Sequence, residues 1–289
     1  MTVGRLKWFR FGPRPPSSGT RSLIRVGAVS YLNTKPLIDG LRDCLRGWGT
    51  LSLNLPSRLA DDLAAGRLDV ALIPSIESFR DPRYRILSDA AIGCLGPVWS
   101  VRLLSRVPVD RIRTLALDEG SRTSAAMVQI LLAERFGVRP ALRPLPMETL
   151  PDTVDADAVL LIGDRAMHPP GGFRHDWDLG QHWVQHTGLP FVFAPWVLRS
   201  NHGLSDSMID RLETVLAECR DCGVGRLDRI AADHAASHGF TADELETYFR
   251  RNLHFYLGEA QRTALDEFRR RAEALQLIST PQTSPLAGR

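Results

Sequence analysis

The sequence predicts an α/β protein of two lobes with a ligand cleft between them, and three observations lead to this fold class. Short apolar runs such as "IRVGAV" (residues 24–29) have the composition of buried strands in a parallel sheet. Segments with helical periodicity separate these runs, which is the order of βαβ units. The chain has 289 residues, too many for one ordinary hydrophobic core.

Composition and charge argue against several classes of function. The apolar fraction of 44% and the charged fraction of 24% are typical of globular domains, and no apolar run approaches the roughly 20 residues of a membrane span. The formal net charge is +3, but residues 1–21 hold five Lys or Arg and no acid. The rest of the chain then has 31 basic and 33 acidic residues. A nearly neutral body predicts neither a nucleic-acid partner nor a membrane partner.

Both ends of the sequence have the composition of disordered segments. We expect a disordered basic extension over residues 1–21 and a disordered tail over residues 279–289. The opening segment lacks the apolar stretch of a secretion signal. Cys219 and Cys222 form a C-x-x-C pattern, but the helical periodicity around them favours two reduced thiols over a redox or zinc motif. These features predict a cytoplasmic protein.

The stretch "GAVSYLNTKPL" (residues 27–37) ends an apolar run with a cluster of polar side chains. Ser30, Tyr31, Asn33 and Thr34 follow the strand and precede Pro36. Ordinary turn chemistry is one explanation of this pattern. The other is a binding site, because ligands of open α/β sheets bind just beyond the carboxyl ends of strands.

A second strand of the same sheet also ends in polar residues. The segment "SRLADDLAAGRLDVALIPSIES" (residues 57–78) predicts a helix, a stop at Gly66, and a strand that leads to Ser75 and Glu77. The two strands belong to one βαβ unit, so their ends share an edge of the sheet. Glu77 is a secondary candidate for a catalytic base, and the alternative is a helix-start residue stabilised by the helix dipole.

Two further segments repeat the pattern of a strand followed by small or polar residues. "LALDEGSRTSAAMVQILL" predicts a strand, a loop and a helix, with Ser121, Thr123 and Ser124 at the helix start. Such a start can bind a carboxylate or phosphate, or can be an ordinary Ser/Thr cap. "DAVLLIGDRA" predicts a strand that ends at Gly163 and Asp164, where the glycine permits close approach of a ligand.

The remaining segments complete the two lobes. A helix around Trp183 precedes the apolar strand "LPFVFAPWVL", and the last third reads as helices only. We expect the chain to cross between lobes near residues 102–110 and to return near residues 196–201. This places residues 22–103 and 200–278 in the first lobe and residues 104–199 in the second.

A metal centre is not expected. His182 and His186 have the i, i+4 spacing that can bind zinc on a helix, but no third ligand or H-E-x-x-H pattern accompanies them.

Seven segments in one order, between about residues 23 and 278, resemble the chorismate dehydratase family of the futalosine route of menaquinone biosynthesis. They are "GAVSYLNTKPL", "PSRLADDLAAGRLDVALIPSIE", "SVRLLS", "LALDEGSRTSAAMVQILL", "DAVLLIGDRA", "DLGQHWVQHTGLPFVFAPW" and "FYLGEAQRTALDEF". The resemblance implies a periplasmic binding protein-like (type II) fold used as an enzyme. It also implies a carbon–oxygen lyase that needs no cofactor and acts on chorismate.

The resemblance and the strand-end pattern together give the expected site. Asn33 and Ser100 are the expected catalytic residues, and Glu77 and Trp183 are secondary candidates. The expected substrate-binding residues are Ser30, Tyr31, Ser75, Ser121, Thr123, Ser124, Gly163 and Asp164.

Two alternatives stay open at this point. A solute-binding receptor would use the same fold, and fold alone does not separate a receptor from an enzyme. The related 1,4-dihydroxy-6-naphthoate synthase of the same pathway is the nearest enzymatic alternative. The sequence leaves a monomer and a homodimer equally open.

Overall fold

The computed structural model describes residues 23–200 and 203–278, and the two predicted terminal segments lie outside the described residues. Apolar, β-branched runs form most of the strands. The strands are β1 (Ile24–Val29), β2 (Gly49–Asn54), β3 (Val70–Leu72), β4 (Tyr84–Cys94), β5 (Val101–Ser105), β6 (Thr114–Asp118), β7 (Ala141–Leu145), β8 (Ala158–Ile162), β9 (His175–Asp178), β10 (Phe191–Arg199) and β11 (His254–Tyr256).

Helices connect most of these strands. The α-helices are α1 (Lys35–Ile38), α2 (Leu41–Cys44), α3 (Pro56–Ala64), α4 (Ser75–Ser78), α5 (Arg122–Phe136), α6 (Asp164–Met167), α7 (Leu179–Thr187), α8 (Asp206–Val224), α9 (Leu227–His234), α10 (Ala242–Thr247) and α11 (Glu259–Ala274). Short 3-10 turns cover Leu32–Thr34, Val109–Arg111, Pro151–Thr153 and Ala236–His238, and a π-helical turn covers Tyr248–Asn252. No helix of the described residues is long and apolar enough to cross a membrane.

The strands form two sheets, one for each lobe. The first has the order β11-β4-β10-β3-β1-β2, in which β1 runs parallel to β2 and β3. The second has the order β7-β6-β8-β5-β9, in which β6 runs parallel to β7 and β8. Strands β4 and β10 are antiparallel partners in the first sheet, and β5 is antiparallel to β8 and β9 in the second. The predicted α/β fold of two lobes is confirmed.

Both chain crossings lie earlier in the sequence than predicted. Strand β5 already pairs within the second sheet, so the first crossing falls between β4 and β5, not near residues 102–110. Strand β10 pairs with β4 from Phe191 to Arg199 and with β3 from Trp196 to Leu198, so the return falls between α7 and β10, not near residues 196–201. The boundaries near residues 103 and 200 are therefore corrected, because strand pairing rather than the nearest proline or polar turn decides which lobe a strand joins.

The carboxyl-terminal third is mostly helical, with one addition. Strand β11 pairs with β4 at the edge of the first sheet, which corrects the prediction of helices only. The predicted capping box is present, since Thr241 and Glu244 bond each other's backbone N–H groups at the start of α10. Helix α8 packs against β4 and α1, so the helical segment returns to the first lobe.

Candidate functional site

A cleft between the lobes, with about 500 Å³ of empty volume, is the candidate site. Strand ends and turns of both sheets line it, which is where open α/β sheets bind ligands. Its apolar walls suit a ring-shaped ligand, and a small set of polar groups can fix the orientation of that ligand. The apolar lining residues are Val29, Pro56, Pro74, Ile92, Val98, Val101, Ile162, Phe193 and Ala194. The polar ones and the glycines are Tyr31, Asn33, Ser100, Gly120, Ser121, Arg122, Thr123, Ser124 and Gly163.

Asn33 lies in the 3-10 turn that follows β1. The turn is attached to the second lobe, because the backbone N–H of Leu32 donates to Asp164 Oδ1 at 3.0 Å. The Asn33 carboxamide oxygen accepts a hydrogen bond from Thr34 Oγ1 at 3.2 Å. The amide nitrogen of Asn33 has no hydrogen-bond partner within residues 23–200 and 203–278, so its two N–H groups are available to a ligand in the cleft.

The Tyr31 side chain crosses from the first lobe into a slot between two glycines of the second. A Cβ atom on Gly163 would lie 2.8 Å from the Tyr31 ring, and one on Gly120 would lie 3.1 Å from the Tyr31 hydroxyl oxygen. Gly163 also has a φ of +62°, which favours glycine. The close approach predicted at Gly163 is therefore made by a side chain of the protein itself.

A buried acid lies beside this slot. The Asp118 carboxylate accepts a hydrogen bond from the Gly120 N–H, while its other oxygen and the Tyr31 hydroxyl have no hydrogen-bond partner in the part of the chain that the structure describes. Arg165 approaches Asp118 at 3.5 Å. Burial raises the pKa of the Asp118 carboxyl to about 6, although Arg165 opposes the shift. Burial, and then the carboxylates of Asp118 and Asp164, raise the pKa of Tyr31.

Ser100 lies directly before β5, at the first crossing between lobes. Trp99, the preceding residue, has a φ of +62°, an uncommon conformation for a bulky residue. The Asp178 carboxylate holds this turn by accepting the N–H groups of Val98 and Trp99 at 2.6–3.0 Å. Ser100 Oγ accepts a hydrogen bond of 2.8 Å from the Tyr248 hydroxyl. We call Asn33 and Ser100 the donor pair.

The start of helix α5 forms the opposite side of the cleft. Ser121, Arg122, Thr123 and Ser124 lie here, and we call them the helix wall. No side chain caps the first turn of the helix. Ser121 and Ser124 are largely buried residues that line the cleft, and their hydroxyls have no hydrogen-bond partner among the described residues. Backbone N–H groups at a helix start, with free hydroxyls and the helix dipole, suit a carboxylate.

Thr123 differs from its two serine neighbours because its hydroxyl connects the lobes. It donates to the Phe193 carbonyl at 3.2 Å and accepts from the Ile76 N–H at 3.4 Å. The Ser75 hydroxyl lies 3.4 Å from it and donates to the Val192 carbonyl. Ser75 is therefore fully buried between the lobes and does not line the cleft.

Arg122 is the one charged side chain that lines the cleft within the described residues. Its guanidinium contacts Asp61 at 2.9 Å and Glu77 at 3.5 Å, both in the first lobe. Glu77 also contacts Arg80 at 3.1 Å and lies outside the cleft lining. The sequence pattern did not distinguish Arg122, although it lies at the helix start beside the predicted anion site.

Three other predicted site residues lie away from the cleft. Ser30 is exposed, and its backbone N–H donates a hydrogen bond to the Asn54 carbonyl. Asp164 accepts the Leu32 N–H and lies 3.8 Å from His238, so it contacts the neighbouring loop. Trp183 is fully buried, where it packs against Phe191 and Phe268.

The histidines and cysteines considered in the sequence have other contacts. Arg135 donates to the His182 ring, whereas His186 contacts Glu134 at 2.6 Å. Residues 23–200 and 203–278 contain no group of three or more His, Cys, Asp or Glu that could hold a metal ion. Cys219 and Cys222 are unpaired and lie on helix α8.

The architecture is that of periplasmic binding proteins: two α/β lobes between which the chain crosses twice, with a cleft between them. The periplasmic aliphatic sulphonate binding protein SsuA from Escherichia coli has this fold and matches with a TM-score of 0.57 at 13% identity, over 89% of this chain and 88% of that one. Protein AF1704 from Archaeoglobus fulgidus matches with a TM-score of 0.72 at 18% identity, over 88% of this chain and 98% of that one.

Sequence comparison gives the family. A family model described as menaquinone biosynthesis matches residues 24–274. A protein from Thermus thermophilus named chorismate dehydratase is 30% identical over 279 residues, which cover 90% of this chain and 98% of that protein. The chain belongs to the menaquinone biosynthesis family.

Proposed function

We propose that this protein is a chorismate dehydratase, which converts chorismate to 3-[(1-carboxyvinyl)oxy]benzoate and water in the futalosine route of menaquinone biosynthesis. One observation carries the proposal: the neutral donor pair and the helix wall line the same apolar cleft, which suits a ring that bears carboxylates. The family match and the relative named chorismate dehydratase support the same substrate.

The chemistry of this reaction agrees with such a site. The ring proton next to the enolpyruvyl ether is acidic, because its loss gives a dienolate that extends onto the ring carboxylate. Departure of the neighbouring hydroxyl group then completes an aromatic ring. The protein has to hold a dianion in one orientation, stabilise developing negative charge and assist the leaving hydroxide. Preorganised hydrogen-bond donors in a site shielded from water perform these tasks.

The helix wall is the proposed carboxylate-binding side. The free hydroxyls of Ser121 and Ser124, the first N–H groups of α5 and the Arg122 guanidinium are the groups that attract an anion here. Asn33 and Ser100 are proposed to donate hydrogen bonds to the enolpyruvyl carboxylate or to the leaving hydroxyl. The Tyr31 ring also lines the cleft.

The proposed base is a carboxylate of the substrate. Glu77 is the protein alternative, but its contacts with Arg80 and Arg122 and its position outside the cleft lining favour an ion-pairing role. The substitution Glu77→Gln distinguishes the two. Undiminished turnover removes Glu77 as the base, and a loss of turnover with unchanged substrate affinity restores it.

We propose a cytoplasmic location and a small-molecule partner only. All four cysteines of the chain are unpaired, which fits a reducing compartment. No nucleic-acid partner is proposed, because the basic residues in excess are concentrated in residues 1–21. A monomer and a homodimer both remain compatible with the proposed activity.

The test is to mix the purified protein with chorismate, with and without EDTA, and to follow the products by mass spectrometry and ultraviolet absorbance. We expect catalytic loss of one water from chorismate and the appearance of a benzoate absorbance, with EDTA present or absent. Chorismate that binds but is recovered intact would instead support a receptor. If chorismate neither binds nor reacts, the next assay would use the cyclic futalosine substrate of the related synthase.

A further inference from the structure

Tyr248 connects the carboxyl-terminal helices to the cleft. It begins the π-helical turn after α10, and its side chain is 1% exposed. Its hydroxyl donates to Ser100 Oγ at 2.8 Å, across 148 positions of sequence. Turns with π-helical hydrogen bonding occur often at functional sites, where they redirect one side chain.

This hydrogen bond determines what the Ser100 hydroxyl can do. A serine hydroxyl has one proton and two lone pairs. Because Tyr248 occupies one lone pair as a donor, the Ser100 proton points elsewhere. Its protein alternative is the Val98 carbonyl at 3.4 Å, a long contact. Ser100 also lines the cleft, so its proton is available to a bound ligand at little cost.

The surrounding backbone fixes the position of Ser100. Trp99 keeps its left-handed conformation because the Asp178 carboxylate accepts the N–H groups of Val98 and of Trp99 itself. The Trp99 ring packs edge-on against Tyr248, with ring centroids 5.6 Å apart, and against Phe240 at 5.4 Å. Strained backbone that its surroundings hold in place is typical of functional sites. The aromatic cluster therefore positions the Tyr248 hydroxyl and the Ser100 turn together.

We propose that Tyr248 is a positioning residue, which fixes the Ser100 hydroxyl as a hydrogen-bond donor to the substrate. This inference rests on the proposed function. Tyr248 itself stays outside the cleft lining and acts through Ser100. Burial raises the pKa of Tyr248, and the bond to Ser100 only partly opposes this, so the phenol keeps its proton at physiological pH and remains a donor.

The test is a double-mutant cycle of Tyr248→Phe and Ser100→Ala with chorismate as substrate. We expect Tyr248→Phe to lower kcat about 10-fold and to change KM by no more than about twofold. One orienting hydrogen bond is lost, whereas the residues that line the cleft are unchanged. The double variant is expected to turn over as slowly as Ser100→Ala alone, since both changes remove the same oriented donor. Tyr256→Phe is the matched control, because the exposed Tyr256 hydroxyl contacts Asp221 away from the cleft.

Two results would overturn the inference while the wild type remains active: an unchanged kcat for Tyr248→Phe, or a double variant whose loss equals the product of the two single losses. If Tyr248→Phe does not fold, 3-fluorotyrosine at position 248 provides the readout. Its more acidic hydroxyl should raise kcat at constant KM, and an unchanged kcat would count against the role. A wild type without chorismate turnover overturns the proposed function, and this inference with it.

Discussion

The two sides of the cleft are built differently. The helix wall consists of four consecutive residues at the start of one long helix, and two of its hydroxyls lack hydrogen-bond partners within the described ranges. The donor pair comes from turns 67 positions apart, and Ser100 depends on Tyr248 and on the strained Trp99. Local regular structure is thus sufficient for a site that attracts an anion. Orienting a reacting group requires contacts from distant parts of the chain.

The largest expected effect is that of Ser100→Ala, which removes the oriented hydroxyl. We expect kcat for chorismate to fall by about 100- to 1,000-fold with little change in KM, the size seen when one preorganised donor is lost. Steady-state kinetics measures both parameters. Ser105→Ala is the matched control, since Ser105 is buried at the other end of β5 and bonds the Val107 carbonyl. The kcat of Ser105→Ala should be unchanged. A similar loss of kcat in Ser100→Ala and Ser105→Ala would contradict a specific role for the Ser100 hydroxyl.

Asn33→Ala tests the other member of the donor pair. Its amide N–H groups have no hydrogen-bond partner among the described residues, so their loss should appear in turnover. We expect kcat to fall by about 100-fold and substrate binding to weaken much less. Single-turnover kinetics with a separate binding titration separates the two. Unchanged turnover would remove Asn33 from the proposed chemistry.

Arg122→Gln tests the helix wall, and here the expected change is in binding. Loss of one charge-assisted hydrogen bond should raise KM for chorismate about 10-fold while kcat stays within about threefold. Arg58→Gln is the control, because Arg58 forms only an exposed 3.9 Å ion pair with Glu119 near the cleft. An equal effect of both substitutions would show that general charge, not the position of Arg122, matters.

Among these substitutions, Asp118→Asn is expected to change turnover least. Its main effect should be on the free energy of unfolding. Burial raises the pKa of this carboxyl from 3.8 to about 6, so between these values the folded chain holds a proton that the unfolded chain has released. The protonated Asp118 carboxyl therefore stabilises the folded state at low pH, and this stabilisation is lost as pH rises through this window. Relative to Asp118→Asn, the free energy of unfolding of the wild type should fall by about 2 kcal/mol between pH 4 and pH 7. Urea denaturation at several pH values measures this, and parallel pH profiles would contradict it.

The sequence predicted the parts of the fold and site that depend on local pattern. Strand β1, strand β8 and the start of helix α5 follow from apolar runs that end in polar or small residues. Gly137 ends α5 in the left-handed conformation, as its position after the periodic segment indicates. The parallel pairing of β1 with β3 follows from the βαβ order.

The parts that the sequence could not predict depend on direction and on distant contacts. A polar residue after a strand can face the cleft, as Asn33 does, or be buried against a carbonyl of its own lobe and a hydroxyl of the other, as Ser75 is against Val192 and Thr123. Nothing local in the sequence distinguishes these cases. Tyr248 lies in a helical segment with the pattern of a packing residue, and only the folded chain brings its hydroxyl to Ser100. The contact of Asp118 with Arg165 and the bonds of Asp178 to the Val98 and Trp99 N–H groups are long-range for the same reason.

The most direct test of the difference between the two sides is to measure kcat and KM of Ser100→Ala and Arg122→Gln side by side with chorismate. We predict that Ser100→Ala loses kcat and keeps KM, and that Arg122→Gln loses affinity and keeps most of kcat. The contradicting result would be that both substitutions lower the same parameter to the same extent. The separation of the cleft into a binding side and a reacting side would then be wrong.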